Sequence, residues 1–199
     1  MGRGSIKQPH QYGMIGLRRS LFSLAVVLVG LGLSACAPTW DWREVRPDGQ
    51  PVAMMLPAKP AEMSRAIDLN GLPVQMTMHG ALVQGQRFTA AWLRLATGTQ
   101  TDQPLQSMQT GMLRNIEGSI DRQEARTIRL MDASGRPVGE RAATFIDAHG
   151  QALGKPVRMQ AVFAADGNTL AQFVVMGMPW SDEAAATFFD SIALRQTGQ

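Results

Sequence analysis

From Ser20 to Ala35 the chain carries no charge, and within that stretch Leu21-Phe-Ser-Leu-Ala-Val-Val-Leu-Val-Gly-Leu-Gly-Leu33 is a run of thirteen mostly apolar residues directly behind Arg18 and Arg19. A bilayer-spanning helix takes roughly 20 apolar residues, whereas a secretory signal has an apolar core of roughly 7–15 behind a positive segment. The run therefore predicts an export signal over 1–35, and only the residues beyond it are left to fold. Met14 lies four residues before the arginine pair, so Met14-Ile-Gly-Leu-Arg-Arg19 is expected to begin a signal of ordinary length, with residues 1–13 upstream of the true start.

Charge is divided at the same point. The first 35 residues hold Arg3, Lys7, Arg18 and Arg19 and no acid; without them the formal charge of +3 becomes −1. The basic balance belongs to the leader, and the remainder carries no footprint for nucleic acid. At 199 residues, 45% hydrophobic and 18% charged, the chain has room for one ordinary domain.

The apolar run ends in Leu33-Ser34-Ala35-Cys36, and residues 14–36 resemble the leaders of bacterial lipoproteins, whose lipobox has this form. The resemblance implies that Cys36 is diacylated on sulfur, becomes the first residue after cleavage behind Ala35, and is N-acylated as well. A thiol suits that step because it supplies a soft nucleophile for a thioether. Two or three acyl chains, at roughly 0.8 kcal/mol per buried methylene, would hold the body on the membrane without spanning it. Ala37 stands where the lipoprotein sorting rule places Asp for retention at the inner membrane, so the resemblance implies the periplasmic face of the outer membrane. Arg18-Arg19-Ser-Leu-Phe22 also loosely resembles a twin-arginine signal; the general secretory route is preferred, because Leu17 stands where a polar residue is usual. Cys36 is the one cysteine, so no internal disulfide can form.

Residues 36–50 are expected to be the lipidated N-terminus with either a tether or a first edge strand, Trp40-Asp-Trp-Arg-Glu-Val45. In the first case Trp40 and Trp42 rest at the headgroup level; in the second both rings tuck onto the core. Residues 51–194 are expected to be a single α+β domain. Alternation in 61–95, with turns at Asn70-Gly71 and Gln84-Gly85, predicts an antiparallel meander. Thr101-Asp102 opens a helical stripe of Leu105, Met108, Met112, Ile116 and Ile120, which Gly111 and Gly118 weaken. Strands resume near Arg126–Met131, Glu140–Ile146, Lys155–Ala164 and Thr169–Gly177. Their joints include Asp132-Ala-Ser-Gly135 and Asp147-Ala-His-Gly150, one Asp-x-x-Gly turn template used twice. Ser181 is a candidate N-cap for a last helix with Ala185, Phe188, Phe189 and Ile192 inward, and 195–199 should fray.

This order predicts an antiparallel sheet of meanders covered by a central and a C-terminal helix. Met55-Leu-Pro-Ala-Lys-Pro60 and Ala184-Ala-Ala-Thr-Phe-Phe-Asp-Ser-Ile-Ala-Leu194 look like the corresponding segments of PsbP-like α/β/α sandwich domains. Such domains often end in Phe-Phe-x-Ser-Phe-x-Leu, where Ile192 here replaces the aromatic. Members of that family are mostly accessory or binding proteins, and the resemblance carries no active site.

The chain contains no G-x-S-x-G, H-E-x-x-H, P-loop or C-x-x-C motif, and no catalytic, cofactor or metal residue is assigned. His149 with Asp147 could form an acid/base pair, but the turn template already accounts for Asp147; His79 is expected on a surface. Met76-Thr-Met78-His79 and Met176-Gly-Met178-Pro-Trp180 each place two thioethers at i and i+2, a soft donor set suited to Cu(I). Core packing is the preferred reading of these methionines. The functional expectation is a lipid-anchored envelope lipoprotein with a binding or accessory, non-catalytic periplasmic domain. Its partners are the membrane, through Cys36, and an envelope protein. The alternatives are a small envelope enzyme with a scattered site and a Met-based Cu(I) binder.

Overall fold

The computed structural model describes residues 1–2 and 39–196; the apolar run, Cys36 and the last three residues lie outside the described residues. The body is one sheet of ten strands: β1 (Arg43–Val45), β2 (Val52–Leu56), β3 (Ala61–Asp68), β4 (Pro73–Val83), β5 (Gln86–Arg94), β6 (Ser119–Met131), β7 (Pro137–Ala152), β8 (Lys155–Asp166), β9 (Thr169–Gly177) and β10 (Ala193–Arg195). Two helices accompany it, α1 (Asp102–Asn115) and α2 (Asp182–Ser191). In space the strands run β1-β2-β10-β6-β7-β8-β9-β5-β4-β3. Neighbours are antiparallel except β10 and β6, which pair in parallel, Ala193 beside Arg129 and Leu194 beside Leu130.

This corrects the expected α+β, PsbP-like sandwich. The chain is mostly β, 56% strand, and forms a curled half-barrel sheet with two short helices. The two meanders do not stand apart with a helix between them. β9 pairs with β5 along its full length, from Gln86 opposite Gly177 to Arg94 opposite Thr169, and so fuses them. Strands of 12 to 16 residues at β6–β8 carry the right-handed twist far enough to curl the sheet and bury much of its own surface.

Both faces of the central strands are buried, which explains the nearly unbroken apolar run Thr169–Gly177. On one face Phe88, Trp92, Phe145, Phe173 and Val175 pack with Phe188 of α2. The Trp40 and Trp42 rings stack on each other at 6.1 Å and both meet Phe88 edge-on, so they sit on the core. On the other face Met76, Leu93, Ile146, Met159, Phe163 and Leu170 pack with Met108 of α1.

Three hairpins are closed by two-residue turns in which both residues have positive φ: Asn70-Gly71, Gln84-Gly85 and Leu153-Gly154. These match the twist of the strands they join. The Asp132 turn forms as expected: the Asp132 carboxylate accepts from Ser134 Oγ and from the Arg136 backbone N–H, and Gly135 N–H closes onto the Asp132 carbonyl. These hydrogen bonds, Ser134 first, hold the Asp132 carboxyl well below the usual carboxylate range.

Its expected twin does not form. Asp147 to Gly150 lie within β7, paired residue for residue with Gln160 to Val157, and the chain reverses at Leu153-Gly154. Ladder bonds on both sides of β7 outcompete a local turn. The first helix also stops early. Glu117 takes φ of 46° after Ile116, and Ile120 is an exposed residue of β6. Ser181 does cap α2, its side chain accepting from Ala184 N. α2 ends at Ser191; Leu194 and Arg195 continue as β10, with Arg195 N–H donating to Pro51 O and Gln196 N–H to Met131 O.

Gly118 and Gly150 mark a tight approach, where the end of α1 crosses β7. A Cβ on Gly150 would lie 2.2 Å from Ile116 O and 2.8 Å from Gly118 Cα. We expect Gly150→Ala to cost at least about 2 kcal/mol, a fall in Tm of about 4–8 °C. Gly111 in α1 has open space around its Cβ position, so Gly111→Ala should stabilise by about 0.5–1 kcal/mol. Thermal unfolding of the two variants checks both signs.

Candidate functional site

The polar side chains on the α2 face of the sheet gather at one end of β6, β7 and β8. Two cross-strand rows build the cluster. Ser119, His149 and Arg158 are successive partners across the three strands, and Arg122, Asp147 and Gln160 form the next row. Opposed residues on neighbouring strands share a face with Cβ atoms about 4.5–5.5 Å apart, so the pairing itself delivers these groups to one another.

Asp147 is buried, at 8% exposure. Arg158 grips it with two bonds, Nη2 to Oδ2 at 2.7 Å and Nε to Oδ1 at 3.1 Å, and Gln160 Nε2 adds a third at 2.9 Å. Burial pushes the Asp147 carboxyl up, but the bonds from Arg158 and Gln160 outweigh it and hold the group below its ordinary range. Its hydrogen bond to Asp147 raises the Arg158 guanidinium in turn, against desolvation. Arg158 also reaches Asp182 at 3.3 Å and lies 4.7 Å from the centroid of the Trp180 ring, whose N–H donates to Asp182 at 2.9 Å. Strand, strand and α2 N-terminus are thus tied through one guanidinium.

Beside this network, His149 is bracketed by two residues of β6. Its Nδ1 lies 2.7 Å and 2.8 Å from the Asp121 carboxylate oxygens, and its Nε2 lies 3.2 Å from Ser119 Oγ. A carboxylate only accepts, so Nδ1 carries the hydrogen and donates it; in the neutral ring Nε2 is then an acceptor for the Ser119 hydroxyl. Asp121 reaches this position through an irregularity in the β6–β7 ladder between Ile120 and Arg122, where it has no partner strand residue. Bulges of this kind re-aim a side chain.

Asp147 and His149 therefore do share a face, but not in a turn and not as a pair: Asp147 belongs to Arg158 and His149 to Asp121. Ser119 and Asp121 carried no local signal. His79 is buried rather than on a surface. Its ring stacks on Trp92 at 5.3 Å, its Nε2 lies 3.7 Å from Glu62, and its Nδ1 has no protein partner. It is enclosed because β5 and its Trp92 cover that side of β4. Met76, Met78 and Met176 pack in the apolar cluster under α1, on the face opposite His79, whereas Met178 lies beyond the end of β9 and is 53% exposed. Met176 and Met178 are thus not two thioethers on one strand. Among the described residues no group of three or more His, Cys, Asp or Glu could hold a metal ion.

A cleft of about 1010 Å³ opens at another part of the sheet rim, lined by Arg94, Thr97, Thr99, Asp132, Asn168 and Arg195 among others. Its acids are already engaged, Asp132 by Arg136 and Asp166 by Arg141.

No protein-family model matches the chain, and no curated protein does. Among solved structures, one similar chain is a protein of unknown function, PA94 from Pseudomonas aeruginosa, at 14% identity and a TM-score of 0.33, covering 69% of this chain and 83% of that one. Another is the apo immunity protein TplEi of the T6SS from Pseudomonas aeruginosa, at 13% identity and a TM-score of 0.32, covering 90% and 86%. At these scores neither transfers a fold or a role.

Removing Arg158 would leave Asp147 buried without its cation. We expect Arg158→Ala to destabilise by about 2 kcal/mol, less than the roughly 3–5 kcal/mol of a fully buried pair because the guanidinium is one-third exposed. Because the folded pKa of Asp147 is depressed, its contribution is fully present above the ordinary carboxylate range and is lost as pH falls from that range through the lower folded pKa. Denaturant titrations from about pH 6 to pH 3 should therefore show a shallower acid loss for Asp147→Asn than for the wild type.

Proposed function

We propose that the chain is a lipid-anchored lipoprotein of the cell envelope, tethered by acyl chains on Cys36 at the periplasmic face of the outer membrane, with a binding or accessory body. The supporting observation is the ordered leader: a positive pair, thirteen apolar residues, then Leu33-Ser34-Ala35-Cys36, placed immediately before the described body. Acylation at Cys36 would leave seven residues before β1, a connection no longer than about 25 Å at full stretch.

The partner in this reading is another envelope protein, and the surface offered to it is the outer edge of β3. β3 is the last strand of the sheet, and seven of its eight residues are exposed. Its outward backbone groups are a template for an added strand, while Glu62, Arg65 and Asp68 guard it against indiscriminate pairing. Met63 and Leu82, 56% and 63% exposed, flank a shallow groove there.

Mass spectrometry of the membrane-extracted protein should find a diacylglyceryl thioether on an N-terminal peptide beginning at Cys36, and Cys36→Ser should move the protein into the soluble fraction. An unmodified residue 36, or a retained leader, would overturn the anchor. A photo-crosslinking residue at position 63 should capture one envelope protein in intact cells, and Leu82→Glu should reduce that capture about tenfold. Capture unaffected by Leu82→Glu would remove the β3 edge from the proposal.

A further inference from the structure

The cluster on β6 and β7 supports an activity that goes beyond anchoring and binding. We propose that Ser119, His149 and Asp121 form a nucleophile, general base and orienting carboxylate, and that the chain hydrolyses small carboxylic esters presented on a bulky alcohol.

Three separate features converge. Connectivity is the first: the carboxylate faces Nδ1 and the hydroxyl faces Nε2, at 2.7 Å and 3.2 Å, so the ring tautomer that Asp121 enforces is the one able to take the Ser119 proton. A neutral histidine held by the serine alone would leave the tautomer open, because a hydroxyl both donates and accepts. Backbone geometry is the second. The register places Ser119 directly opposite His149, and the ladder irregularity turns Asp121 toward the same ring. Glycines at 118 and 150 let the end of α1 cross immediately below, which fixes the start of β6 at this point. Electrostatics is the third. Arg158 is the cross-strand partner of His149, and Arg122 comes directly after Asp121. Arg158 is committed to Asp147, and Arg122, which opposes Asp147 in the next row, lies over the Phe145 ring and pairs with Glu124 at 4.0 Å; the two guanidiniums add positive potential to this end of the sheet.

Chemically, Ser119 Oγ would attack the ester carbonyl carbon as its proton moves to His149 Nε2. Collapse of the tetrahedral alkoxide breaks the bond to the alcohol oxygen, which takes that proton and leaves. Water then adds to the acyl-serine by the same route, gives its proton to Nε2, and releases the carboxylic acid as Ser119 recovers its hydrogen. Asp121 is a positioning residue throughout. The substrate class comes from the surroundings. His149 and Asp121 are 65% and 50% exposed and are flanked by charged side chains, which suits a short acyl group carried on a large polar molecule and disfavours a long acyl chain.

The test uses the full chain extracted from membranes in detergent, exposed to an alkyl fluorophosphonate. Attack by Ser119 forms the oxygen–phosphorus bond and expels fluoride, and the adduct is read on the tryptic peptide Asn115–Arg122, whose only hydroxyl side chain is Ser119. We expect labelling in the wild type and in Cys36→Ser alike, which separates this activity from the anchor. Labelling should vanish in Ser119→Ala and slow by at least about 100-fold in His149→Ala. It should slow by about tenfold in Asp121→Asn, with partial recovery in Asp121→Glu, and hydrolysis of p-nitrophenyl acetate should track the same order. All three side chains are at the surface, so circular dichroism should be unchanged. A wild-type chain that stays unmodified at Ser119, or labelling that is indifferent to His149→Ala, would overturn the proposal.

Discussion

The pairing of β5 with β9 is the constraint on which the rest of the molecule depends. It joins residues about eighty positions apart over nine consecutive partners, and through it two meanders become one sheet with two buried faces. Phe88, Ala90 and Trp92 then face Ala171, Phe173 and Val175 on the α2 side, while Ala91 and Leu93 meet Leu170 and Val174 on the α1 side. Each helix has a face to cover because that seam exists. Loop closure on this scale is entropically costly, so the seam needs the large apolar burial that both faces supply at once.

The polar end of the α2 face is a consequence of the same architecture. The buried apolar residues of α2, Ala184, Ala185 and Phe188, cover the aromatic part of the sheet, while only its polar first residue, Asp182, meets this end through Arg158, so the residues there are not required to be apolar. They are instead matched in charge. Asp147 is the buried member, and its carboxylate is satisfied by Arg158 and Gln160 from the adjacent strand. Arg126 and Arg122 lie over the Phe145 ring, at 3.8 Å and 5.2 Å from its centroid, and close the boundary between the apolar and polar zones. A dry core and a wet, hydrogen-bonded patch thus meet within one strand, β7, at Phe145 and Asp147.

The two Asp-x-x-Gly segments differ because of what surrounds them. Asp132-Ala-Ser-Gly135 lies where β6 ends and nothing else claims its backbone, so the Asp side chain closes a turn. Asp147-Ala-His-Gly150 has the same spacing but lies between two strands that both offer ladder bonds. Ladder pairing on both sides exceeds what one Asx turn supplies. The side chains freed from turn duty, Asp147 and His149, are the centres of the two polar groupings. The local motif therefore concealed the site. The same competition shortens the first helix, since Ile116 and Ile120 continue its apolar spacing but Gly118 serves the crossing beneath β7.

By itself the sequence determined what depends on near neighbours. It marked the hairpin turns at Asn70-Gly71 and Gln84-Gly85, the span Thr169–Gly177 and the Ser181 cap, because turn conformation, alternation and capping are set within a few residues. Only the tertiary structure decided which strands adjoin, that the meanders form a single mostly β sheet, that His79 is enclosed by Trp92, and that Ser119, Asp121 and His149 meet. Period-two alternation says which side of a strand a residue faces but not which strand lies beside it. Contacts across thirty positions, such as Ser119 with His149, exist only once the register is set, and the register is chosen by the burial of both faces together.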